Sequence, residues 1–206
     1  MKKILYVNAC ITREVDSRTD RLAQAYLKKT LEVQDCILST VKLEDIVMYP
    51  LSGKILTERE KAIADNDFSS ALFDLARNFA AADEVVIAAP YWDMSFPASL
   101  KLYMEQLCVN KLTFCYNEKG MPCGLTNVKK VVYLTTAGGY IGNNNFGFDY
   151  IKGVFPLFSA LQISLFSVRK VWIFTATILK KLCRMPLMKC ITLYPDCSMF
   201  EKSGIV

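Results

Sequence analysis

Histidine is absent from all 206 residues of this chain. That removes His-based triads, imidazole general bases and most zinc sites at once. The eight cysteines include no CxxC pair, so a zinc ribbon or thioredoxin-type motif is excluded and no metal site is expected. No apolar run is long enough to span a bilayer, and no membrane association is expected. The opening MKKILYVNAC enters a strand pattern directly, unlike a secretory leader. These features together imply a reducing cytoplasm and mostly free thiols. Acid is scarce at one end only. Residues 165–206 carry seven Lys/Arg against Asp196 and Glu201, which leaves 18 basic and 18 acidic residues in 1–164. The body is neutral and the net +5 belongs to the tail, so a general nucleic-acid surface is not supported.

What remains is a chain that alternates strands and helices. Lys3–Ala9 is a short apolar run with β-branched and aromatic residues, suited to a buried strand. Ser17–Leu31 follows as a helix, with Leu22, Tyr26, Ala23 and Leu27 towards one face and Ser17 or Thr19 as its cap. Cys36–Leu43 reads as a second strand, Thr57–Ala64 and Phe68–Ala81 as helices, and Glu84–Ala89 as a third, fully apolar strand. Pro97 suits a first helical turn, and Leu100, Tyr103, Met104 and Leu107 keep helical spacing. Lys130–Thr135 is a fourth strand, Phe146–Phe158 a helix, and Ile163–Phe166 a fifth strand. This order predicts an α/β, doubly wound, five-stranded parallel sheet with helices on both faces. Ligands of such sheets sit beyond the carboxyl ends of the strands.

Three segments leave such strand ends. The first, ACITREVDSRTDRL, sets Ser17, Arg18 and Thr19 at a helix start, where hydroxyls, backbone N–H groups and a guanidinium suit a phosphate; a plain capped helix would look the same. The second, PYWDM, places Tyr91, Trp92, Asp93 and Met94 after a buried strand, as the lining of a flat ring or as a core lid. The third, TAGGY, offers Thr136, Ala137, Gly138 and Gly139, whose glycines admit close backbone approach or mark a simple turn. There is no Walker lysine motif and no GxGxxG after the first strand. The combination favours a flat, phosphorylated mononucleotide.

The ordered set AAPYWDMSFPASLKLYMEQL, TFCYNEKGMPCGL and KKVVYLTTAGGY resembles the FMN-dependent NADH-azoreductase and quinone reductase family, which has a flavodoxin-like fold. The match covers roughly Lys2 to Phe158. It implies that Ser17, Arg18 and Thr19 hold the FMN phosphate, with Cys10 where many members place a serine. It implies that Tyr91, Trp92, Asp93 and Met94 lie along the isoalloxazine ring, and that Thr136, Ala137, Gly138 and Gly139 contact its pyrimidine end and dimethylbenzene side. It further implies a homodimer and a ping-pong reaction in which two electrons pass from NADH or NADPH through FMN to a quinone or azo compound. The cofactor carries that chemistry, so no catalytic side chain is demanded and the missing histidine is no objection. The alternatives are a non-catalytic flavodoxin-like electron carrier, typically far more acidic than this body, and an inactive relic of the reductase.

The domain is expected to span 1–167, with an atypical basic tail over 168–206. The tail VRKVWIFTATILKKLCRMPLMKC contains no acid, where the family places an acidic last helix. Codons can be chosen for Lys170 to Pro186 that, regrouped from the last base of the Lys170 codon, encode GLDIYGNDIEEIMQNA. That sequence has a Gly-Asn-Asp lead-in and an acidic amphipathic helix. The expectation is a frameshift near Pro156 to Ala160, a fifth strand that survives it, and a lost last helix. The consequences would be lower stability, weaker dimerisation and reduced FMN retention.

Overall fold

A computed structural model describes residues 1–11, 17–139, 141, 143–159 and 164–167, the last four by backbone alone. The expected tail 168–206, with its lost last helix, lies outside these residues, as do Ile163 and residues 12–16 of the first loop. The chain opens with β1 (Lys2–Asn8), α1 (Arg18–Val33), β2 (Cys36–Lys42), α2 (Gly53–Ala64), α3 (Asp74–Ala80) and β3 (Glu84–Ala88). It continues through α4 (Ala98–Leu107), β4 (Phe114–Tyr116), β5 (Pro122–Gly124), β6 (Lys130–Leu134), α5 (Phe146–Val154) and β7 (Ser164–Ser167). Five strands form one parallel sheet in the order β2-β1-β3-β6-β7. This is the expected five-stranded arrangement. Chain order reverses at β1, whose neighbours are β2 and β3, and that reversal opens a crevice above their carboxyl ends.

The strand period of two divides the core between the two faces of the sheet. Ile4, Tyr6, Val86, Ala88, Val132 and Leu134 pack on one face against Ala23 and Leu27 of α1. Leu5, Val7, Val85, Ile87, Val131 and Tyr133 pack on the other against Leu100, Tyr103, Met104 and Leu107 of α4 and Phe148 and Ile151 of α5. β1 and β3 are covered on both faces, which is why they read as continuous apolar runs. β2 is an edge strand, and its Ile37 and Leu38 are exposed.

Several helices differ from the sequence expectation for local reasons. α2 begins four residues early, because the Ser52 hydroxyl accepts from Ile55 N–H and caps it. The expected helix over Phe68–Ala81 starts late. The Asp67 carboxylate takes the Ser69 N–H and the Ser70 hydroxyl takes the Leu72 N–H, giving a short 3₁₀ turn over Ala71–Phe73 before α3. Such side-chain acceptors compete with the helical ladder. α5 gives way to a 3₁₀ turn over Phe155–Leu157, since Pro156 has no N–H and crowds the preceding turn. Pro97 is the residue before α4 rather than inside its first turn. The fifth strand falls at Ser164–Ser167, pairing with Lys130–Tyr133.

The β4–β5 hairpin has no counterpart in the sequence expectation. It is anchored to the turn after α5, where Thr126 donates from both N–H (3.0 Å) and Oγ1 (2.7 Å) to Phe158 O. At Gly124 a Cβ would lie 2.2 Å from the backbone carbon of Phe158 and the backbone nitrogen of Ser159. Those backbone atoms cannot swing aside. Gly124→Ala is therefore expected to destabilise the fold by about 1–3 kcal/mol, the usual overpacking cost. Thermal melting measures it, and an unchanged melting temperature would remove this account of the hairpin's seat.

Candidate functional site

The crevice is built by the three segments that leave β1, β3 and β6. Backbone hydrogen bonds extend the strand pairing beyond the sheet: Ala9 N–H donates to Ala88 O (2.8 Å), Ala89 N–H to Leu134 O (3.0 Å) and Tyr91 N–H to Thr136 O (3.0 Å). The third bond joins the aromatic segment to the Gly-Gly segment. The first segment is joined to the third by side chains, since the Thr19 and Thr136 hydroxyls share a buried hydrogen bond at 2.7 Å. The structure thus brings all three expected loops together at one end of the sheet.

Ser17 caps α1, its hydroxyl accepting from Asp20 N–H. Arg18 is exposed at the first helical position and makes no salt bridge among the described residues. A helix start also leaves N–H groups without intrahelical acceptors. One helix start therefore carries hydroxyl, guanidinium and N–H groups, the donor types an anion needs. Thr19 is buried and its hydroxyl is engaged with Thr136, so in this arrangement its side chain ties two loops together and its backbone is what faces the helix start.

Cys10 is buried, its N–H donating to Asn8 Oδ1 at 2.9 Å and its Sγ lying 3.8 Å from Ala88 O. Burial pushes its thiol up to about 11; a hydrogen bond with Ser17 acts the other way, and the Asp20 charge adds to the rise. The thiol is neutral at neutral pH and puts no negative charge beside an anion site.

Tyr91 and Trp92 are half-buried, while Asp93 and Met94 are exposed. Trp92 and Ser95 exchange backbone hydrogen bonds at 3.1 and 2.7 Å around Asp93 (φ 49°) and Met94 (φ 65°). Two consecutive left-handed residues make a tight turn of the primed type. A methionine there is unusual and is held by its surroundings: Met94 O accepts from Phe146 N–H at 3.0 Å. Thr136 is buried, Ala137 half-buried and Gly138 and Gly139 exposed. Open space lies where a Cβ would stand on either glycine, so backbone there is accessible to a flat ligand.

Further residues shape the site without having stood out in the sequence. Asp20 accepts from Tyr6 OH (2.5 Å), Asn8 Nδ2 (3.1 Å) and Gln24 Nε2 (3.2 Å), locking the start of α1 to the carboxyl half of β1. Asn145 caps α5 through Phe148 N–H, and Asn144 O accepts from Tyr91 OH at 2.9 Å. The start of α5 is thereby a wall of the crevice. A polar Asn8 ending an apolar strand was the available signal for the first cluster. The second arises only from the meeting of distant loops. Among the described residues no group of three or more His, Cys, Asp or Glu side chains could hold a metal ion, and no helix is long and apolar enough to cross a membrane.

A parallel sheet in this order, with a phosphate-type helix start, an aromatic turn and a Gly-Gly loop at one end, defines a flavodoxin-like class of protein. The sequence matches the family described as Flavodoxin-like fold over residues 2–175, and the chain belongs to it. It is 34% identical over 170 residues to an FMN-dependent NADH:quinone oxidoreductase of Clostridium perfringens (strain SM101 / Type A), covering 79% of this chain and 83% of that one. A protein of the same description from Lachnoclostridium phytofermentans is 31% identical over 184 residues, covering 86% of this chain and 91% of that one. Among solved structures, an azoreductase from Bacillus anthracis str. Sterne superposes with a TM-score of 0.68 at 21% identity, covering 81% of this chain and 87% of that one. An FMN-dependent NADH-azoreductase from Bacillus anthracis str. Ames Ancestor, in complex with FMN, gives 0.65 at 20% identity, covering 89% and 94%. At these identities the structures speak for the fold.

Proposed function

We propose that this chain is an FMN-dependent oxidoreductase that takes two electrons from NADH and delivers them to a quinone or azo compound. The observation that carries the reading is the convergence of three loops on one crevice, in a chain about a third identical to FMN-dependent NADH:quinone oxidoreductases over most of its length. FMN supplies the redox chemistry when bound. The chain's own residues bind and orient. Ser17 Oγ, the Arg18 guanidinium and the backbone N–H groups at the start of α1 hold the phosphate, with neutral Cys10 beneath them. Tyr91, Trp92, Asp93 and Met94 form one side of the ring's bed. The Thr136–Gly139 segment would form the other, its backbone N–H groups supplying donors to the ring. Thr19 and Thr136 keep the two ends of the bed at a fixed spacing.

Donor and acceptor use the same open face in turn, so the reaction is ping-pong. Initial rates at varied NADH and several fixed quinone concentrations are expected to give parallel double-reciprocal lines. Intersecting lines would sink this order of events. The exposed Met94 and Phe146 at the rim of the crevice suit coverage by a second copy of the chain, and the protein acts as a homodimer in the cytoplasm.

The sequence is frameshifted from near Pro156 to Ala160 onward, and the basic tail over 168–206 is the result. The family match stops at residue 175, short of the end of the sequence, and residues 150–195 contain no acid. A version with the ending GLDIYGNDIEEIMQNA is expected to melt at higher temperature and retain more FMN through gel filtration. Equal melting and equal flavin content in the two versions would remove the proposal, as would gene bases that do not encode that ending in the alternative frame.

A further inference from the structure

Two cysteines away from the crevice face each other across the β4–β5 hairpin. Cys115 is the Cα partner of Cys123. Their relation is fixed by the ladder on either side: Leu125 N–H donates to Thr113 O at 3.0 Å, and Asn117 N–H donates to Met121 O at 2.9 Å. Hydrogen-bonded and non-hydrogen-bonded pairs alternate along an antiparallel ladder. Cys115 and Cys123 are therefore the hydrogen-bonded pair between those two. Such a pair holds its Cα atoms about 5.5 Å apart, inside the span of about 4.4–6.8 Å that a disulfide accepts. Directly opposed residues project their side chains to the same face.

The hairpin is also preorganised. At its turn, Asn117 Oδ1 accepts from the N–H groups of Lys119 and Met121, both at 2.9 Å, and Gly120 takes φ 73°. At its base, Thr113 is fully buried, and its hydroxyl donates to Leu107 O at 2.6 Å. A slip of register would break both ends. Both cysteines are free thiols and half-buried. Cys10, Cys36 and Cys108, the other free cysteines described, have no cysteine opposite them in any strand register.

We propose that Cys115 and Cys123 form a redox modification site, a facing dithiol that closes to an intramolecular disulfide by exchange with a low-molecular-weight disulfide. The thiolate of one cysteine attacks a sulfur of the small disulfide, whose S–S bond breaks. One small thiol leaves and a mixed disulfide remains on the protein. The thiolate of the facing cysteine then attacks the protein-side sulfur, forming the Cys115–Cys123 bond and releasing the second small thiol. The protein gives up two electrons and two protons, and the small disulfide gains them as two thiols. The second step is intramolecular and meets a thiol already in position, so it outruns capture of a second reagent molecule. A closed bond on a partly exposed hairpin of a cytoplasmic protein is of the transient, sensing kind.

Lys119 lies in the turn between the two cysteines, which gives a direct test. The full chain is incubated with glutathione disulfide, denatured, alkylated and cut with trypsin without reduction. Cleavage after Lys111, Lys119 and Lys129 separates residues 112–119 from 120–129 unless a disulfide joins them. The expected result is the joined pair, released by reductant, on protein of monomer mass. In a Cys123→Ser chain the same treatment is expected to leave Cys115 carrying one glutathione. Wild-type protein in which both cysteines carry separate glutathiones, both are alkylated, or either is joined to another cysteine would overturn the proposal.

Discussion

Replacing both Lys2 and Lys130 with methionine is expected to destabilise the chain by about 3–5 kcal/mol, the range for a buried charge stripped of its partners. Glu84 opens β3 with a fully buried carboxylate. Lys2 Nζ lies 2.6 Å from its Oε2 and Lys130 Nζ 3.2 Å from its Oε1, while Tyr26 OH donates to Oε1 at 2.8 Å. One acid thus ties together β1, β3, β6 and α1, at the end of the sheet opposite the crevice. Burial pushes Glu84 upward, but the hydrogen bonds from Lys2 and Tyr26 and the charges of Lys130 and Lys2 outweigh it, so the carboxyl sits below its ordinary 4.5. Its contribution is present above that value and is lost as pH falls through the lower folded value. Without the lysines the sign reverses. Burial then dominates, the folded value rises above the unfolded one, and stability is lost as pH rises. Urea midpoints between pH 3 and pH 7 are expected to climb with pH in the wild type, and the variant's deficit is expected to shrink towards the acid end. A deficit that is constant across this range would show that charge at Glu84 is not what the two lysines serve.

Arg18→Ala is expected to weaken FMN binding roughly tenfold to a hundredfold, the worth of one charge-assisted hydrogen bond of about 1.5–3 kcal/mol. Arg18 is exposed and belongs to no described ion pair, so its removal leaves no buried partner stranded and the melting temperature of the flavin-free chain should stay put. Arg18→Lys should recover part of the loss, because it restores the charge without the planar fork. The rate with quinone at saturating FMN is expected to remain near the wild-type value, since a residue with the proposed role of phosphate ligand takes no part in electron transfer. Fluorescence titration with FMN reads the affinity. Unchanged affinity in Arg18→Ala would move the phosphate away from the start of α1.

The sheet was legible because β1, β3 and β6 are buried on both faces and so appear as unbroken apolar runs. The three loops followed from the topology rule and from their own residue types. The hairpin was not legible, since strands of three residues carry no period. Its register comes from the Asn117 turn and from the Phe158 backbone pressed on Gly124, more than thirty residues away. The starts of α2 and α3 were misplaced because side chains outside the apolar pattern, Ser52 and Ser70, captured an N–H. At the site, the hydroxyl of Thr19 resembled a phosphate ligand in the sequence, and only the fold reveals Thr136 opposite it. The Asp20 cluster and the α5 wall were hidden for the same reason, as contacts between segments that the chain order keeps apart.

The central claim is that this crevice holds FMN and passes electrons from NADH to a quinone. Anaerobic absorbance of the purified full chain with saturating FMN, followed through addition of NADH and then a quinone, tests it most directly. The account predicts that NADH bleaches the protein-bound flavin band and that the quinone restores it, at rates well above those of free FMN. Bleaching no faster than free FMN, or no shift of the flavin spectrum on mixing with the protein, would contradict it.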